Sequence, residues 1–226
     1  MSILAIAAHP DDEVLGCGAT LARHAADGDQ VEVLTLGEGA TSRFENLHAA
    51  DPRAVAALAE DGRKTGRIPG VGRVIPKAFP DNRFDTVPLL EIVKALEKVV
   101  AEFSHDIAHA RHGGDLNIDH SPVFRATLTA TRPQAGSPVR EVLAFEVPSS
   151  TEWAFRRFAP SFRPSVFVDV TSTLDTKIAA MERYAGEIRE FPHPRSPEAL
   201  RALAARWGAC AGVAAAEAFE IVHLLR

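Results

Sequence analysis

The sequence has little sulfur and no long apolar segment. Only two of its 226 residues are cysteines. Cys17 and Cys210 lie far apart and outside any Cys-x-x-Cys arrangement, which excludes a disulfide framework and a sulfur-rich metal site. No run of about 18 apolar residues is present, so we expect no membrane span. Because Met1 to Leu4 lack the basic region of a secretory signal, we predict a cytoplasmic protein.

The chain also lacks a clustered run of lysine and arginine. Its formal net charge is −5 at pH 7, whereas proteins built around nucleic-acid phosphates carry a basic stripe. With 46% hydrophobic residues the chain can bury one good core, and neither a repeat nor a linker divides it. We therefore predict one domain over residues 1–226 that binds a small molecule. Homo-oligomer formation stays open.

Apolar stretches alternate with helical patterns along most of the chain. This alternation predicts a Rossmann-like α/β fold, in which a mostly parallel sheet is flanked by helices. The predicted strands are 3–8, 31–36, 106–111, 142–147 and 166–170. The predicted helices are 14–26, one that extends to 103 from an N-cap at Thr86, 121–131, 174–188 and a long alanine-rich one from 197.

An aromatic segment lies between the last two predicted strands. We interpret it as a substrate wall or an oligomer contact, and a loop tucked onto the core by its aromatic rings is an equal alternative. Its aromatic residues are Trp153, Phe155, Phe158 and Phe162.

A short polar motif, His9-Pro10-Asp11-Asp12-Glu13, follows the first predicted strand. Open α/β sheets bind ligands at the edge where their strands end. Imidazole nitrogen and carboxylate oxygen ligate Zn²⁺, and a second carboxylate beside the ligand can act on metal-bound water. The motif therefore favours a metal hydrolase. The alternative is an acidic N-cap on the following helix beside an ordinary hydrogen-bonded histidine.

A catalytic zinc site needs a third protein ligand and one open position. His120 is the best candidate, because it follows a glycine-containing loop between a predicted strand and a predicted helix. Asp119 beside it could orient a ring nitrogen of a metal-bound imidazole. His109 and His112 stay candidates at the rim. The histidines without an acidic partner motif are His24, His48, His105 and His223.

Together these residues resemble a known family. His9-Pro10-Asp11-Asp12-Glu13 with the later Asp119-His120 closely resembles the PIG-L/LmbE-like zinc-dependent N-deacetylases, which remove acetyl groups from N-acetylated sugars. The likeness covers nearly the whole chain. It includes the segments 37–43, 80–83, 149–153 and 191–196.

The resemblance implies a role for each residue of the core motifs. His9, Asp12 and His120 would bind one Zn²⁺ per chain, with other divalent ions as alternatives. Asp11 would be the general base, and Asp119 its supporting partner. The metal would lower the pKa of bound water toward ~7 and polarise the amide carbonyl. Glu13 either supports the site or is a helix N-terminal charge stabilised by the macrodipole.

The chain departs from some relatives at Asn117. Those relatives have His-Pro-Asp-His, whose first histidine is placed to stabilise the oxyanion or protonate the leaving amine. The amide of Asn117 donates hydrogen bonds but is no general acid. Either His193 from a later loop supplies this function, or Asp11 both accepts and returns the proton. We predict that His193 completes the active site, because Pro192 and Pro194 restrict its backbone.

The implied substrate is an N-acetylated amino sugar, free or nucleotide-linked. Four polar side chains are predicted to contact it: Arg43, Asp81, Asn82 and Asn117. Arg43 is alternatively a solvated loop charge, and Asp81 with Asn82 a simple turn.

Other functions stay open. His9 and Asp11 have the spacing of the metal triad of Fe(II) oxygenases, although those enzymes usually use an all-β barrel. A non-catalytic sugar-binding protein with a vestigial metal site is another alternative, although it would need no spare carboxylate. A dinucleotide-binding module is disfavoured, because Gly16-Cys17-Gly18 lacks the third glycine at the required spacing.

Overall fold

The protein is described by a computed structural model over residues 1–39, 53 and 70–226. Seven strands are described: β1 (Ser2–Ala7), β2 (Gln30–Gly37), β3 (Arg73–Phe79), β4 (Ile107–Arg111), β5 (Glu141–Phe145), β6 (Val166–Asp169) and β7 (Ala216–Leu224). The described part also contains the helices α1 (Asp12–Ala26), α2 (Leu89–Phe103), α3 (His120–Ala130), α4 (Leu174–Glu182) and α5 (Pro197–Ala211).

All seven strands belong to one sheet, in the order β3-β2-β1-β4-β5-β7-β6. The first five of these are parallel, and β1 lies between β2 and β4. The chain builds the sheet outward from β1 first to one side and then to the other, so the loops after β1 and β4 diverge. A crevice opens at such a switch point. The predicted Rossmann-like, mostly parallel α/β sheet flanked by helices is confirmed.

Side chains of β1 alternate between the two faces of the sheet. Ile3 and Ala5 pack in one core with residues of α1, α4 and α5. Leu4 and Ile6 pack in the other core with residues of α2 and α3. Because both faces are covered, the strand is a continuous apolar run rather than an alternating one.

Helix α1 packs closely against the Phe145 ring of β5. A side chain on Gly16 would overlap the Phe145 ring, and the helix departs from helical geometry at Cys17, where φ is −138°. Glycine at this contact therefore lets the start of α1, which carries Asp12 and Glu13, approach the sheet edge.

The antiparallel edge of the sheet was not predicted. β7 pairs antiparallel with both β5 and β6, and the sequence analysis assigned its region to the alanine-rich C-terminal helix. That helix, α5, ends at the left-handed Gly212, whose φ is 76°. The alanines after Gly212 belong to a strand because the turn reverses the chain, and their helix propensity does not decide the outcome. β3 was also missed.

Two helix boundaries differ from prediction. Thr86 lies in a 3-10 turn, Phe84–Thr86, and α2 begins at Leu89 with Pro88 as its N-cap, so the Thr86 cap was wrong. Helix α4 ends at Glu182 rather than near 188. The apolar stripe of α2 is confirmed, since Ile92 and Leu96 are fully buried. None of the described helices has the length and apolar character to cross a bilayer.

Candidate metal centre

A polar cleft of about 340 Å³ opens at the carboxyl edge of the sheet, between the loops after β1 and β4. It brings together predicted residues that are distant in sequence. Those that line it are His9, Asp11, Asp12, Asp81, Asn82, Asn117 and His120. Arg43 lies outside the described residues, Asp119 is buried behind the wall, and His193 is not among the lining residues.

Asp12 is fixed by the end of β1. Its Oδ2 accepts backbone N–H bonds from Ala8 and His9, each at 3.0 Å, which fold the carboxylate back over the strand end. Arg111, fully buried on β4, places Nη2 3.3 Å from the same oxygen. Burial opposes ionisation of Asp12, but Arg111 and His120 hold its pKa far below the usual range. Asp12 is therefore a carboxylate, the form that binds a cation.

Two imidazoles flank this carboxylate. His9 Nδ1 lies 3.8 Å and His120 Nε2 3.5 Å from Asp12 Oδ2. Ligand atoms about 2.0–2.1 Å from a tetrahedral zinc lie roughly 3.3 Å from one another, so the spacing fits such an ion. Among the described residues, the buried His120 Nε2 has no hydrogen-bond partner. A metal ion would satisfy it.

The other ring nitrogen of His9 faces two carboxylates. Nε2 lies 2.9 Å from Asp119 Oδ2 and 3.0 Å from Asp81 Oδ1. These three residues form a second group that could hold a cation. However, both oxygens of Asp119 already accept backbone N–H bonds, from Asn82 at 2.6 Å and Phe84 at 2.9 Å. Asp119 therefore orients His9 so that Nδ1 points toward Asp12 and His120.

His120 has a support that the sequence analysis missed. Its Nδ1 lies 3.0 Å from Asp115 Oδ2, whereas Asp119, the residue predicted to orient an imidazole here, contacts His9. Asp115 accepts hydrogen bonds from the Ser150 and Thr151 hydroxyls. A carboxylate five residues before His120 in a glycine-containing loop was the available signal. The loop's path, which spacing does not reveal, decides which acid reaches which histidine.

Asp11 stands beside the metal group without joining it. The residue is 3% exposed, its φ is 108°, and its N–H donates to Glu13 Oε2 at 3.2 Å. The pKa of Asp11 is raised to about 7, because burial outweighs the opposing charge of Arg195, and Asp12 and Glu13 add repulsion. A carboxyl that titrates near neutral pH can both accept and return a proton.

Glu13 contacts Asp11 through the hydrogen bond from the Asp11 N–H to Glu13 Oε2. Its other oxygen accepts a hydrogen bond from the Tyr184 hydroxyl at 3.1 Å, and the residue is almost completely buried. Glu13 also lies in the first turn of α1, so its position fits both interpretations offered for it.

Arg195 is a cleft residue that sequence reasoning missed. Its Nη1 lies 3.0 Å from Asp11 Oδ2 and 2.8 Å from Glu187 Oε2. In the segment 191–196 the sequence indicated His193 as a candidate catalytic residue. The His193 ring lies edge-on against Trp153, with ring centroids 5.3 Å apart. No spacing argument identifies an arginine whose partner is 184 residues away.

Asp81 and Asn82 are both a turn and part of the cleft wall. Asn82 has a left-handed backbone, with φ at 52°, and its N–H donates to Asp119. In the aromatic segment, Trp153 lies in the cleft wall, while Phe155 is 75% exposed and is not tucked onto the core.

The two histidines proposed for the rim lie in the interior. His109 packs beside Phe219 in the core, with ring centroids 5.2 Å apart. His112 is fully buried, and its Nε2 lies 2.7 Å from the Pro160 carbonyl. Neither is among the lining residues of the cleft.

The sequence is similar to curated deacetylases. An uncharacterized deacetylase of Escherichia coli, YaiS, is 32% identical over 190 residues, which span 80% of this chain and 89% of that protein. The 1D-myo-inositol 2-acetamido-2-deoxy-alpha-D-glucopyranoside deacetylase 1 of Saccharopolyspora erythraea is 30% identical over 83% of this chain and 78% of its own length.

The fold is shared more widely. The crystal structure of GalB, the 4-carboxy-2-hydroxymuconate hydratase from Pseudomonas putida, matches with a TM-score of 0.77 at 21% identity, covering 100% of this chain and 97% of that one. Because that protein is a hydratase, the fold alone leaves the reaction open. The family model described as PIG-L, GlcNAc-PI de-N-acetylase, matches residues 4–131. This match covers more than half of the sequence and includes both metal motifs, and the chain therefore belongs to the PIG-L family of de-N-acetylases.

Proposed function

We propose that the protein is a metal-dependent hydrolase that removes the acetyl group from an N-acetylated amino sugar. One observation carries the proposal: single ligand atoms of His9, Asp12 and His120 lie within 4.8 Å of one another, in a cleft that Asp11 also lines. A binding protein would not need a spare carboxylate at this position. The three ligands leave a fourth position of a tetrahedral ion open for water or substrate.

Zinc, or another divalent ion held by these three residues, would polarise the amide carbonyl and lower the pKa of water. The chain supplies the rest. Asp11 accepts a proton from the attacking water and returns it to the departing amine nitrogen. Asn117 lines the cleft and donates hydrogen bonds through its amide, without transferring a proton.

Asp11 acts alone in this scheme. Because His193 is not a lining residue of the cleft and its ring lies against Trp153, we expect His193→Ala to leave kcat within about threefold. Proton transfer by a side chain usually contributes roughly 10²-fold or more. Loss of one limb of the pH–rate profile in this variant would instead assign the acid to His193.

The substrate class rests on the relatives and on the cleft wall. The Saccharopolyspora relative carries a 2-acetamido sugar in its name. Asp81, Asn82, Ser149 and Trp153 line the cleft here, and short polar groups beside an aromatic ring suit the hydroxyls and the apolar face of a pyranose. A nucleotide-linked sugar depends on Arg43, which lies outside the described residues.

The test is acetate release. Purified protein loaded with Zn²⁺ is incubated with N-acetyl sugars, their inositol and nucleotide conjugates, and unrelated acetamides. We expect an N-acetyl sugar to release acetate and a free amine in equal amounts. The matched control is Asp11→Asn, which should keep its metal and lose most of its activity. Efficient hydrolysis of only the unrelated amides would contradict the substrate class.

Metal analysis separates the proposal from its rivals. We expect about one divalent ion per chain, lost in His120→Ala. Turnover of a 2-oxo acid with Fe(II) under oxygen, without acetate release, would favour an oxygenase. Tight sugar binding without acetate release would favour a binding protein.

A further inference from the structure

The backbone of Asp11 is held in a conformation that side-chain-bearing residues rarely adopt. Its φ is 108° and its ψ −29°, in the left-handed half of conformational space. Glu13 accepts the Asp11 N–H, and the Tyr184 hydroxyl holds Glu13. These contacts fix the main chain and leave the direction of the carboxylate to be set by another group.

That group comes from the opposite end of the chain. The Arg195 guanidinium joins three segments: Nε donates to Ser149 Oγ at 2.8 Å, and Nη1 donates to Asp11 Oδ2 at 3.0 Å and to Glu187 Oε2 at 2.8 Å. Ser149 follows β5, Asp11 follows β1, and Glu187 follows α4. The guanidinium is planar, so hydrogen bonds along two of its directions fix its orientation.

We propose that Arg195 is a positioning residue that holds the Asp11 carboxylate in one direction across the cleft, with Ser149 and Glu187 fixing the guanidinium. The kinetic meaning of this role rests on the proposed function, in which Asp11 transfers the proton. A base must lie within hydrogen-bond reach of the proton that it abstracts, so its direction matters as much as its presence.

A role for Arg195 in binding an anionic substrate fits the contacts less well. Its Nη1 already faces two carboxylates, which offset the positive charge that would attract an anion. Arginines that bind phosphate or carboxylate groups of ligands present an unshared fork to them. The guanidinium of Arg195 therefore holds two carboxylates of the protein, those of Asp11 and Glu187, and we call this contact the clamp.

The kinetic test compares variants of two arginines in the same region. Arg195→Met should lower kcat roughly 10²-fold, the scale of a misplaced catalytic group, with KM within about twofold and metal content unchanged. Arg189 is exposed, and its side chain donates to the backbone carbonyls of Gly186 and Ile188. Arg189→Met should therefore retain normal kinetics.

Two further variants separate positioning from charge. Arg195→Lys keeps the charge but cannot bridge Ser149 and Asp11 together, so we expect it to stay well below the wild-type kcat. Arg195→Ala should recover part of its lost kcat when guanidinium ion is added at millimolar concentration. Wild-type kcat in Arg195→Lys, or a raised KM with normal kcat in Arg195→Met, would overturn the proposal.

A stability cycle tests the clamp without any assay of activity. Equilibrium unfolding is measured for Asp11→Asn, Arg195→Met and the double variant, all free of metal. We expect the two substitutions to be coupled, changing the unfolding equilibrium constant at least about threefold relative to additivity. Additive effects would overturn the inference and leave the proposed function standing. Absence of acetate release by the wild type would contradict the proposed function and leave the contact between Arg195 and Asp11 standing.

Discussion

Two of the described regions that bury charged side chains are built differently. Between α1, α4 and β7, Lys177 donates to Glu217 Oε1 at 2.7 Å and to the Leu15 carbonyl. Glu217 also accepts the N–H groups of Ala19 and Thr20. One positive charge meets one negative charge, and backbone groups complete the hydrogen bonds of both.

The cleft at the carboxyl edge is not balanced in this way. Among the described residues, seven acidic side chains lie near two arginines and two histidines, those of Asp11, Asp12, Glu13, Asp81, Asp115, Asp119 and Glu187. Within the described residues, His120 Nε2 and two nitrogens of Arg111 have no hydrogen-bond partner. A closed pair satisfies its charges within the fold, while an excess of acid beside an imidazole nitrogen without a partner marks a place for a cation.

The largest effect on activity is expected from Asp12→Ala. Removing the ligand should abolish metal binding and reduce acetate release below detection, because the two remaining histidines cannot hold a catalytic ion in place. Elemental analysis and acetate assays on the same sample check it. Asp11→Asn is the matched control, which should keep metal and lose roughly 10²-fold in kcat. Equal metal loss in both variants would contradict the division of roles between the two aspartates.

The second prediction addresses the closed pair. Lys177→Met leaves Glu217 buried without its counter-charge and should lower the free energy of unfolding by about 3–5 kcal/mol. Urea unfolding measures the loss. The double variant Lys177→Met, Glu217→Leu should recover most of it, and both variants should bind metal normally. A single variant as stable as the wild type would show that this pair is not closed.

Zn²⁺ bound in the cleft should raise the free energy of unfolding of the protein. An ion that binds only the folded chain adds about 2.7 kcal/mol at a concentration of 100 Kd. Thermal unfolding with and without Zn²⁺ gives the increment, which His120→Ala should lose and a Lys177 variant should keep. An increment that survives in His120→Ala would place the ion elsewhere.

The smallest expected effect concerns Glu146, a largely buried acid that accepts a hydrogen bond from the neutral Trp207 side chain. Trp207 Nε1 donates to its Oε1 at 2.5 Å, and burial raises the pKa of Glu146 to about 7, against the opposing Trp207 bond. The raised pKa means that this residue's contribution to stability is present below pH ~4.5 and lost as pH rises through ~7.

Glu146→Gln should therefore remove roughly 1–3 kcal/mol of pH dependence between those limits. Urea unfolding at several pH values measures this difference between variant and wild type. An unchanged pH dependence would show that Glu146 ionises normally in the folded protein.

Much of this architecture could be predicted from the sequence. The run from Ile3 to Ala8 and the stripe of α2 predicted a buried parallel strand and its covering helix, because their periodicity reflects which faces are buried. The pentapeptide beginning at His9 and the later His120 predicted the metal group, because ligand chemistry restricts residue types.

Other features depended on contacts across the chain. β7 was hidden because alanine favours helix locally, while the turn at Gly212 and pairing with β5 and β6 decide its conformation. Asp115 and Arg195 were missed because their partners are set by loop paths. Spacing along a sequence carries no information on such paths.

The contact between His9 and Asp119 has a consequence for how the protein acquires its ion. Burial opposes protonation, but hydrogen bonds to Asp119 and Asp81 raise the pKa of His9 to about 10. Without metal the imidazole is therefore a cation at neutral pH, and it contributes to stability below pH ~6.5 and loses that contribution as pH rises through ~10. Nδ1 must give up its proton before it can ligate. Metal binding is thus an ion exchange, in which the arriving metal ion displaces a proton from His9 and releases it into the surrounding buffer.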